Sequence, residues 1–149
     1  MNFTMLHQRS ALGAIALAGV LGILAACASM SSSTSTQQIV LSGSNEVPPV
    51  TTSAAGTGTV TINPDQTVGA SITVSGMTAT ASHIHEGAAG ANGPVIVPFT
   101  KTGDNTFAAP PGAKLTDSQY ASYKAGNLYV NVHSAKNPGG EIRAQLKGN

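Results

Sequence analysis

Short runs of β-branched residues, separated by Gly, Pro and Asn, begin at Gln38 and continue to the end of the chain. In residues 58–63 and again in residues 68–74, apolar side chains occupy every second position. A period of two residues is typical of a strand with one buried face and one wet face. Pro64 and Asp65 stand between the two runs, so the pattern predicts a β-hairpin.

The remaining pattern predicts an all-β domain with one short helix. Further strands are predicted at residues 39–41, 80–86, 94–99, 105–108, 127–134 and 140–147. The helix is predicted near residues 116–125, because Thr116 and Gln119 fit a capping box and Gly126 fits a stop. Many short strands with so little helix predict an antiparallel β-sandwich, with an open barrel as the alternative. The chain has no Trp and only three Phe and three Tyr, so aliphatic residues must form the core, which favours a thin sandwich.

The N-terminal segment, residues 1–26, has the layout of a secretory signal peptide. Residues 1–9 are polar with one Arg, residues 11–24 carry no charge, and Ala25 and Ala26 precede the expected cut. A transmembrane helix is the alternative, since counting on through Met30 approaches the ~20 apolar residues that a span needs. The run is rich in Ala and Gly and no basic cluster follows it, which favours cleavage over a retained helix.

Cys27 follows Leu24, Ala25 and Ala26 in a stretch that resembles a lipobox, where bacterial lipoproteins are cut and lipidated. It is the only cysteine, so no internal disulfide can form; an incidental cysteine in the signal is the alternative. Two or three acyl chains there would anchor the protein to a membrane. The lipoprotein resemblance implies that Ala28, unlike Asp, is consistent with the outer membrane. We therefore expect export and a lipid anchor in the cell envelope, facing the periplasm or the outside.

Composition and charge divide the rest of the chain and limit its partners. Residues 27–38 are rich in Ser, Thr and Gln and lack core residues, which predicts a flexible tether before a domain at residues 39–149.

The chain has seven Lys and Arg against six Asp and Glu, and Arg9 falls within the predicted signal, so the mature chain is formally neutral. No basic patch is visible, so we expect no nucleic-acid partner.

Three histidines are the candidates for chemistry. His83 and His85 are two residues apart on one predicted strand, so they share a face ~6.5–7 Å apart. His133 ends another predicted strand, and a carboxylate from Glu141 or Glu86 lies nearby in sequence. Such N and O ligands suit zinc or copper, with a fourth position left open. The alternative is that the histidines are structural and make hydrogen bonds that fix loops.

The other motifs argue against catalysis. No Gly-x-Ser-x-Gly nucleophile elbow is present. Residues 87–93 are glycine-rich but lack a Lys and a following helix, so they predict a tight turn and not a phosphate loop.

Three ordered motifs make the chain resemble the CHRD (chordin) domain family. They are Leu-Ser-Gly-Ser-Asn-Glu-Val-Pro-Pro-Val at residues 41–50, His-Ile-His-Glu-Gly at 83–87, and Tyr-Val-Asn-Val-His-Ser at 129–134 with Pro-Gly-Gly-Glu-Ile-Arg-Ala-Gln-Leu at 138–146. The family often has Gly where Ala144 stands. The resemblance implies an immunoglobulin-like or superoxide-dismutase-like sandwich without a settled activity. In chordin the repeats belong to a secreted growth-factor antagonist, and bacterial members are mostly exported proteins.

Residues 83–86 also resemble the copper-binding stretch of Cu/Zn superoxide dismutases. Those enzymes use more histidines, an aspartate and a disulfide, so this resemblance implies at most a reduced site for one copper or zinc ion. Three functions stay open. The first is a non-catalytic module that binds an envelope or extracellular protein. The second is a metal-binding protein that uses His83, His85 and His133. The least favoured is a dismutase-like metalloenzyme.

Overall fold

The computed structural model describes residues 34–148 as a strand-rich domain. Its strands are β1 (Ser35–Ser42), β2 (Ala55–Ile62), β3 (Val68–Ser75), β4 (Ala79–Glu86), β5 (Val95–Pro98), β6 (Thr100–Gly103), β7 (Thr106–Ala108), β8 (Leu128–Ser134) and β9 (Ile142–Gln145). A short 3-10 turn (Gly43–Asn45) follows β1, and helix α1 (Asp117–Lys124) precedes β8. The predicted all-β class with one short helix is confirmed.

The strands form one antiparallel sheet of nine strands in the order β5-β4-β8-β9-β1-β2-β3-β7-β6. The two outermost strands, β5 and β6, are consecutive in the chain and are separated only by Phe99. The N–H of Phe99 donates to the carbonyl of Ser82 in β4 at 3.0 Å. The sheet therefore curls back on itself and is nearly closed, like a barrel. Its two halves meet where Ser42 of β1 pairs with Arg143 of β9.

The interior of the curled sheet is aliphatic, as its composition predicts. Fully buried side chains come from strands all round the sheet: Leu41, Val60, Ile72, Ile84, Leu128, Val130, Val132 and Ile142. Phe107 and Tyr123 are the aromatic residues of this core. Alternation places these side chains inward because successive residues of a strand point to opposite faces. The predicted hairpin is present as β2 and β3, which pair from Ala55↔Ser75 to Ile62↔Val68.

The start of β1 and the presence of β6 differ from the sequence prediction. Strand β1 begins at Ser35, so residues 35–38 belong to the domain and not to the tether predicted for residues 27–38. These polar residues pair with β2, Gln38 opposite Thr59, because ladder hydrogen bonds need no apolar side chain. Strand β6 was not predicted, because all four of its residues are exposed and none is a strong strand former except Thr. The signal peptide predicted for residues 1–26 and Cys27 lie outside the described residues.

The single helix begins where its capping sequence predicts. The Thr116 hydroxyl accepts from the Gln119 N–H at 3.2 Å, and the Gln119 side chain accepts from the Thr116 N–H at 2.9 Å. This reciprocal pair satisfies two N–H groups that a helix N-terminus leaves without partners. Within residues 34–148, no helix has the length and apolar character needed to cross a membrane.

The outer face of β4, β8 and β9 is buried as well, and it is polar. Every residue of β8 is buried, those that point away from the core included. On this outer face, Asn131 lies between His83 of β4 and Arg143 of β9. Tyr129 likewise lies between His85 and Gln145. This second, polar layer positions the candidate site.

Adjacent residues of β1 offer a test of which face forms the core. Leu41 has 0% of its surface exposed, whereas Val40 has 70% exposed. Leu41→Ala should lower the free energy of unfolding by about 2–5 kcal/mol, because it leaves a cavity. Val40→Ala should change it by less than about 0.5 kcal/mol. Urea denaturation measures both, and similar losses in the two variants would contradict this assignment of faces.

Candidate metal centre

The structure brings the three predicted histidines together on the outer face of β4 and β8. His83 and His85 lie two apart on β4, and His133 lies on β8 opposite Ala81. One ring nitrogen from each histidine lies within 4.8 Å of the other two. His85 and His133 are buried and His83 is half-buried. Antiparallel pairing therefore gathers residues that are about fifty positions apart in the chain.

The spacing of the three rings fits a shared cation. Nδ1 of His83 donates to Nε2 of His133 at 3.0 Å, a hydrogen bond that a shared ion would replace. The ring centroids are 4.8 Å apart for His83 and His133, 5.5 Å for His83 and His85, and 6.1 Å for His85 and His133. Zinc–nitrogen bonds are about 2.0–2.1 Å long, so two nitrogens on one ion lie about 3 Å apart. The pair formed by His83 and His133 already has that separation.

Two backbone carbonyls fix the tautomers of the buried histidines. Nδ1 of His85 donates to the carbonyl of Gly93 at 2.9 Å, and Nδ1 of His133 donates to that of Pro138 at 2.9 Å. Because a carbonyl only accepts, both Nδ1 atoms carry the proton and both Nε2 atoms keep a lone pair. Nε2 of His85 is buried and has no hydrogen-bond partner among the described residues. Metal-ligating histidines usually show this arrangement.

Burial favours the neutral form of His83 and His133. Burial first, and then proximity to His133 and His85, lowers the pKa of His83 from 6.5 to about 4. Burial also lowers the pKa of His133, although the hydrogen bond to Pro138 opposes this. Neutral imidazole is the form that binds metals, so these two side chains are ready ligands at neutral pH.

A stack of side chains holds His85 from one side. Its ring lies nearly parallel to that of Tyr129, with centroids 4.8 Å apart and an interplanar angle of 9°. The Tyr129 hydroxyl accepts from the N–H of Gly93, at 3.2 Å, and the carbonyl of Gly93 is the acceptor for His85. Tyr129 therefore fixes both the plane of His85 and the residue that sets its tautomer.

Arg143 connects this stack to the glycine-rich loop at residues 87–93. Its Cζ lies 3.4 Å from the centroid of the Tyr129 ring, which is a close cation–π contact. Its guanidinium donates to four oxygens at 2.9–3.3 Å: Ala88 O, Ala91 O, Asn92 Oδ1 and Gln145 Oε1. No sequence pattern indicates this role, because the loop and Arg143 are far apart in the chain.

The two predicted carboxylates do not join the group. The oxygens of Glu141 accept from the hydroxyls of Thr52, at 2.6 Å, and Ser134. Burial raises the pKa of Glu141, but the hydrogen bonds from Ser134 and Thr52 outweigh it, so the pKa is lowered overall. Glu86 accepts from the Ser122 hydroxyl at 2.5 Å. The expected role of Glu141 as a ligand is therefore not supported, because hydroxyl donors hold its carboxylate away from the imidazoles.

A buried carboxylate that the sequence analysis missed lies on the same face. Glu46 is buried, and its Oε1 has no hydrogen-bond partner among the described residues; the same is true of Oδ1 of Asn131. A Cβ at position 140 would lie 2.6 Å from Glu46 Oε1 and 2.8 Å from Asn131 Nδ2. Only glycine fits there, and its φ of 132° also disfavours other residues. Because Gly140 has no side chain, the side chains of Glu46 and Asn131 have room on this face of β8.

A comparison with protein families identifies the domain. The CHRD domain matches residues 37–146, which is most of the chain. No curated protein and no solved structure gives a match.

The lowered pKa of His83 predicts acid sensitivity of the metal-free protein. The unfolded chain takes up this proton below pH 6.5, whereas the folded chain resists it down to about pH 4. The free energy of unfolding should therefore fall as the pH is lowered through this window. Urea denaturation across the window measures the fall, and His83→Gln should make it shallower. An unchanged slope in that variant would contradict the assignment.

Proposed function

This chain belongs to the CHRD domain family, and we propose that its three-histidine group makes it a non-catalytic protein that binds copper or zinc. The observation that carries the proposal is the convergence of one nitrogen each from His83, His85 and His133 within 4.8 Å. Family membership alone does not supply this function, because a fold hosts many activities.

The hydrogen bonds around the group support a ligand role over a purely structural one. A structural histidine normally finds a partner for each buried nitrogen. Here Nδ1 of His85 has a partner, but its buried Nε2 has none in the part of the chain that the structure describes. Leaving such an acceptor without a partner costs about 1–3 kcal/mol, so a cation at this position would remove an unfavourable feature of the fold.

The donor set indicates which ions fit. Three neutral imidazoles suit zinc and copper, whereas calcium and magnesium prefer oxygen ligands. A bound ion with three protein ligands would keep one exchangeable position. Within residues 34–148, no carboxylate joins the three imidazoles as a ligand. A dismutase-like site uses more histidines than this group supplies and also an aspartate, which favours a role in holding the ion.

We also propose that the protein is exported and attached to the cell envelope by lipid on Cys27. The support is the order of polar, uncharged and small residues before Cys27 and the lipobox-like stretch that ends there. The envelope or extracellular protein partner that the sequence suggests stays a prediction.

The metal proposal predicts one copper or zinc ion per chain. His85→Ala and His133→Ala should each weaken binding by more than about a hundredfold, because losing a ligand costs more than losing its supporting partner. Glu141→Gln should leave the affinity within about threefold, because that carboxylate is occupied by hydroxyls. Competition with chelators of known affinity measures the constants, and circular dichroism checks that each variant is folded.

Two results would remove this proposal. One is the absence of stoichiometric copper and zinc from protein incubated with either ion. The other is an affinity that is the same in the wild type and in both folded histidine variants.

The lipid proposal predicts a covalent acyl group on Cys27. The full chain, expressed in a Gram-negative host fed labelled palmitate, should carry the label and sediment with membranes. Cys27→Ser should carry no label and leave the membrane fraction, because the sequence has no other cysteine. Unlabelled wild-type protein would contradict the proposal.

A further inference from the structure

Arg143 is a buried charge that makes no hydrogen bond to a carboxylate within residues 34–148. Only 1% of its surface is exposed. The four oxygens that accept from its guanidinium belong to backbone carbonyls and to the side-chain amides of Asn92 and Gln145, and all are neutral. Buried charges are normally paired, because removal from water is costly. The guanidinium therefore has no hydrogen-bonded counterion among the described residues, and Glu46 attracts it only from a distance.

The stack places this charge beside the metal centre. Strand β8 lies between β4 and β9, so Tyr129 has His85 on one side and Arg143 on the other. The ring of Tyr129 contacts both, at 4.8 Å from the His85 ring and 3.4 Å from Cζ of Arg143. The distance from Cζ of Arg143 to the centre of the His85 ring therefore cannot exceed the sum of these two distances. No water-filled space separates them, so the interaction is only weakly screened.

We propose that Arg143 determines which ionic charge the three-histidine centre prefers, favouring singly charged Cu(I) over doubly charged Zn(II) and Cu(II). This rests on the proposed function. The three ligands are neutral and add no negative charge, so the guanidinium repels a dication twice as strongly as a monocation. At a separation of ~10 Å and an effective dielectric constant of ~20, this repulsion weakens binding about tenfold for Cu(I) and about a hundredfold for a dication.

Glu46 is the other charged group that the comparison has to take into account. Burial raises its pKa, while the attraction of Arg143 lowers it, so these two groups interact without touching. Glu141 is held by hydroxyls and interacts with Lys136, and this pair is the same in the wild type and in every Arg143 variant. Arg143→Lys keeps the attraction on Glu46, whereas Arg143→Gln removes it and raises the pKa of Glu46 further. Arg143→Gln is therefore also measured together with Glu46→Gln, where the change in charge comes from Arg143 alone.

The test compares Arg143→Gln with Arg143→Lys. Both variants lose donors to the loop at residues 87–93, but only the Gln variant loses the charge. Loosening of the loop should weaken the binding of Cu(I) and Zn(II) alike. Loss of the charge should strengthen the binding of both ions, and the gain in binding free energy for Zn(II) should be twice that for Cu(I). The ratio of the Cu(I) and Zn(II) affinities should therefore fall about tenfold in Arg143→Gln and stay within about threefold in Arg143→Lys. Competition with chromophoric chelators, under reducing and oxygen-free conditions for Cu(I), gives both constants.

The midpoint potential of bound copper is a second readout. Removing the positive charge should stabilise Cu(II) relative to Cu(I), so the potential of Arg143→Gln should be lower than that of the wild type. A tenfold change in the ratio of the two affinities corresponds to about 59 mV. A purely structural role for Arg143 predicts no such shift.

Glu46→Gln tests the same idea in the opposite direction, with a side chain of nearly the same shape as Glu. It removes the carboxylate that interacts with Arg143, so the preference for Cu(I) should increase. This test is available even if Arg143→Gln does not fold. An affinity ratio that is the same in the wild type, in folded Arg143→Gln and in Glu46→Gln would overturn this inference alone. If the wild type binds neither ion, the proposed function fails as well.

Discussion

The register between β4, β8 and β9 is the constraint on which the rest of this structure depends. Pairing His83 with Asn131, and Asn131 with Arg143, places the histidines and Arg143 on one face and the large aliphatic side chains, such as Ile84, Val130 and Ile142, on the other. A slip of one residue would reverse the faces, because side chains alternate along a strand. The aliphatic core therefore fixes the register, and the register in turn fixes the histidine group.

A buried polar face is stable here because chain segments distant in sequence supply its partners. The carbonyls of Gly93 and Pro138 orient two imidazoles, and Arg143 gathers the loop that contains Gly93. The acceptors left over, on Glu46, His85 and Asn131, lie on the same face of the sheet. Unsatisfied groups that collect in one place of an otherwise well-bonded fold are more typical of a binding site than of poor packing.

Local patterns predicted much of this fold and the centre of the site. Alternation of apolar residues predicted the strands, and the two-residue spacing of His83 and His85 predicted their shared face. The start of β1 and the whole of β6 were missed because backbone pairing with β2 and β7 holds their polar residues, and this pairing leaves no apolar alternation in the sequence. The hydroxyls that occupy Glu141 and the burial of Arg143 were also missed, since both depend on contacts between remote parts of the chain.

The near closure of the sheet has a consequence for the protein's behaviour in a crowded setting. Within residues 34–148, β5 and β6 are the two outermost strands, and each is four residues long. Both edges are irregular: β5 ends in Pro98, β6 carries Lys101, and the register shifts in both pairings. Short, bulged and charged edges resist pairing with other chains. These two edges therefore disfavour the growth of the sheet from one copy to the next, which is the first step towards a fibril.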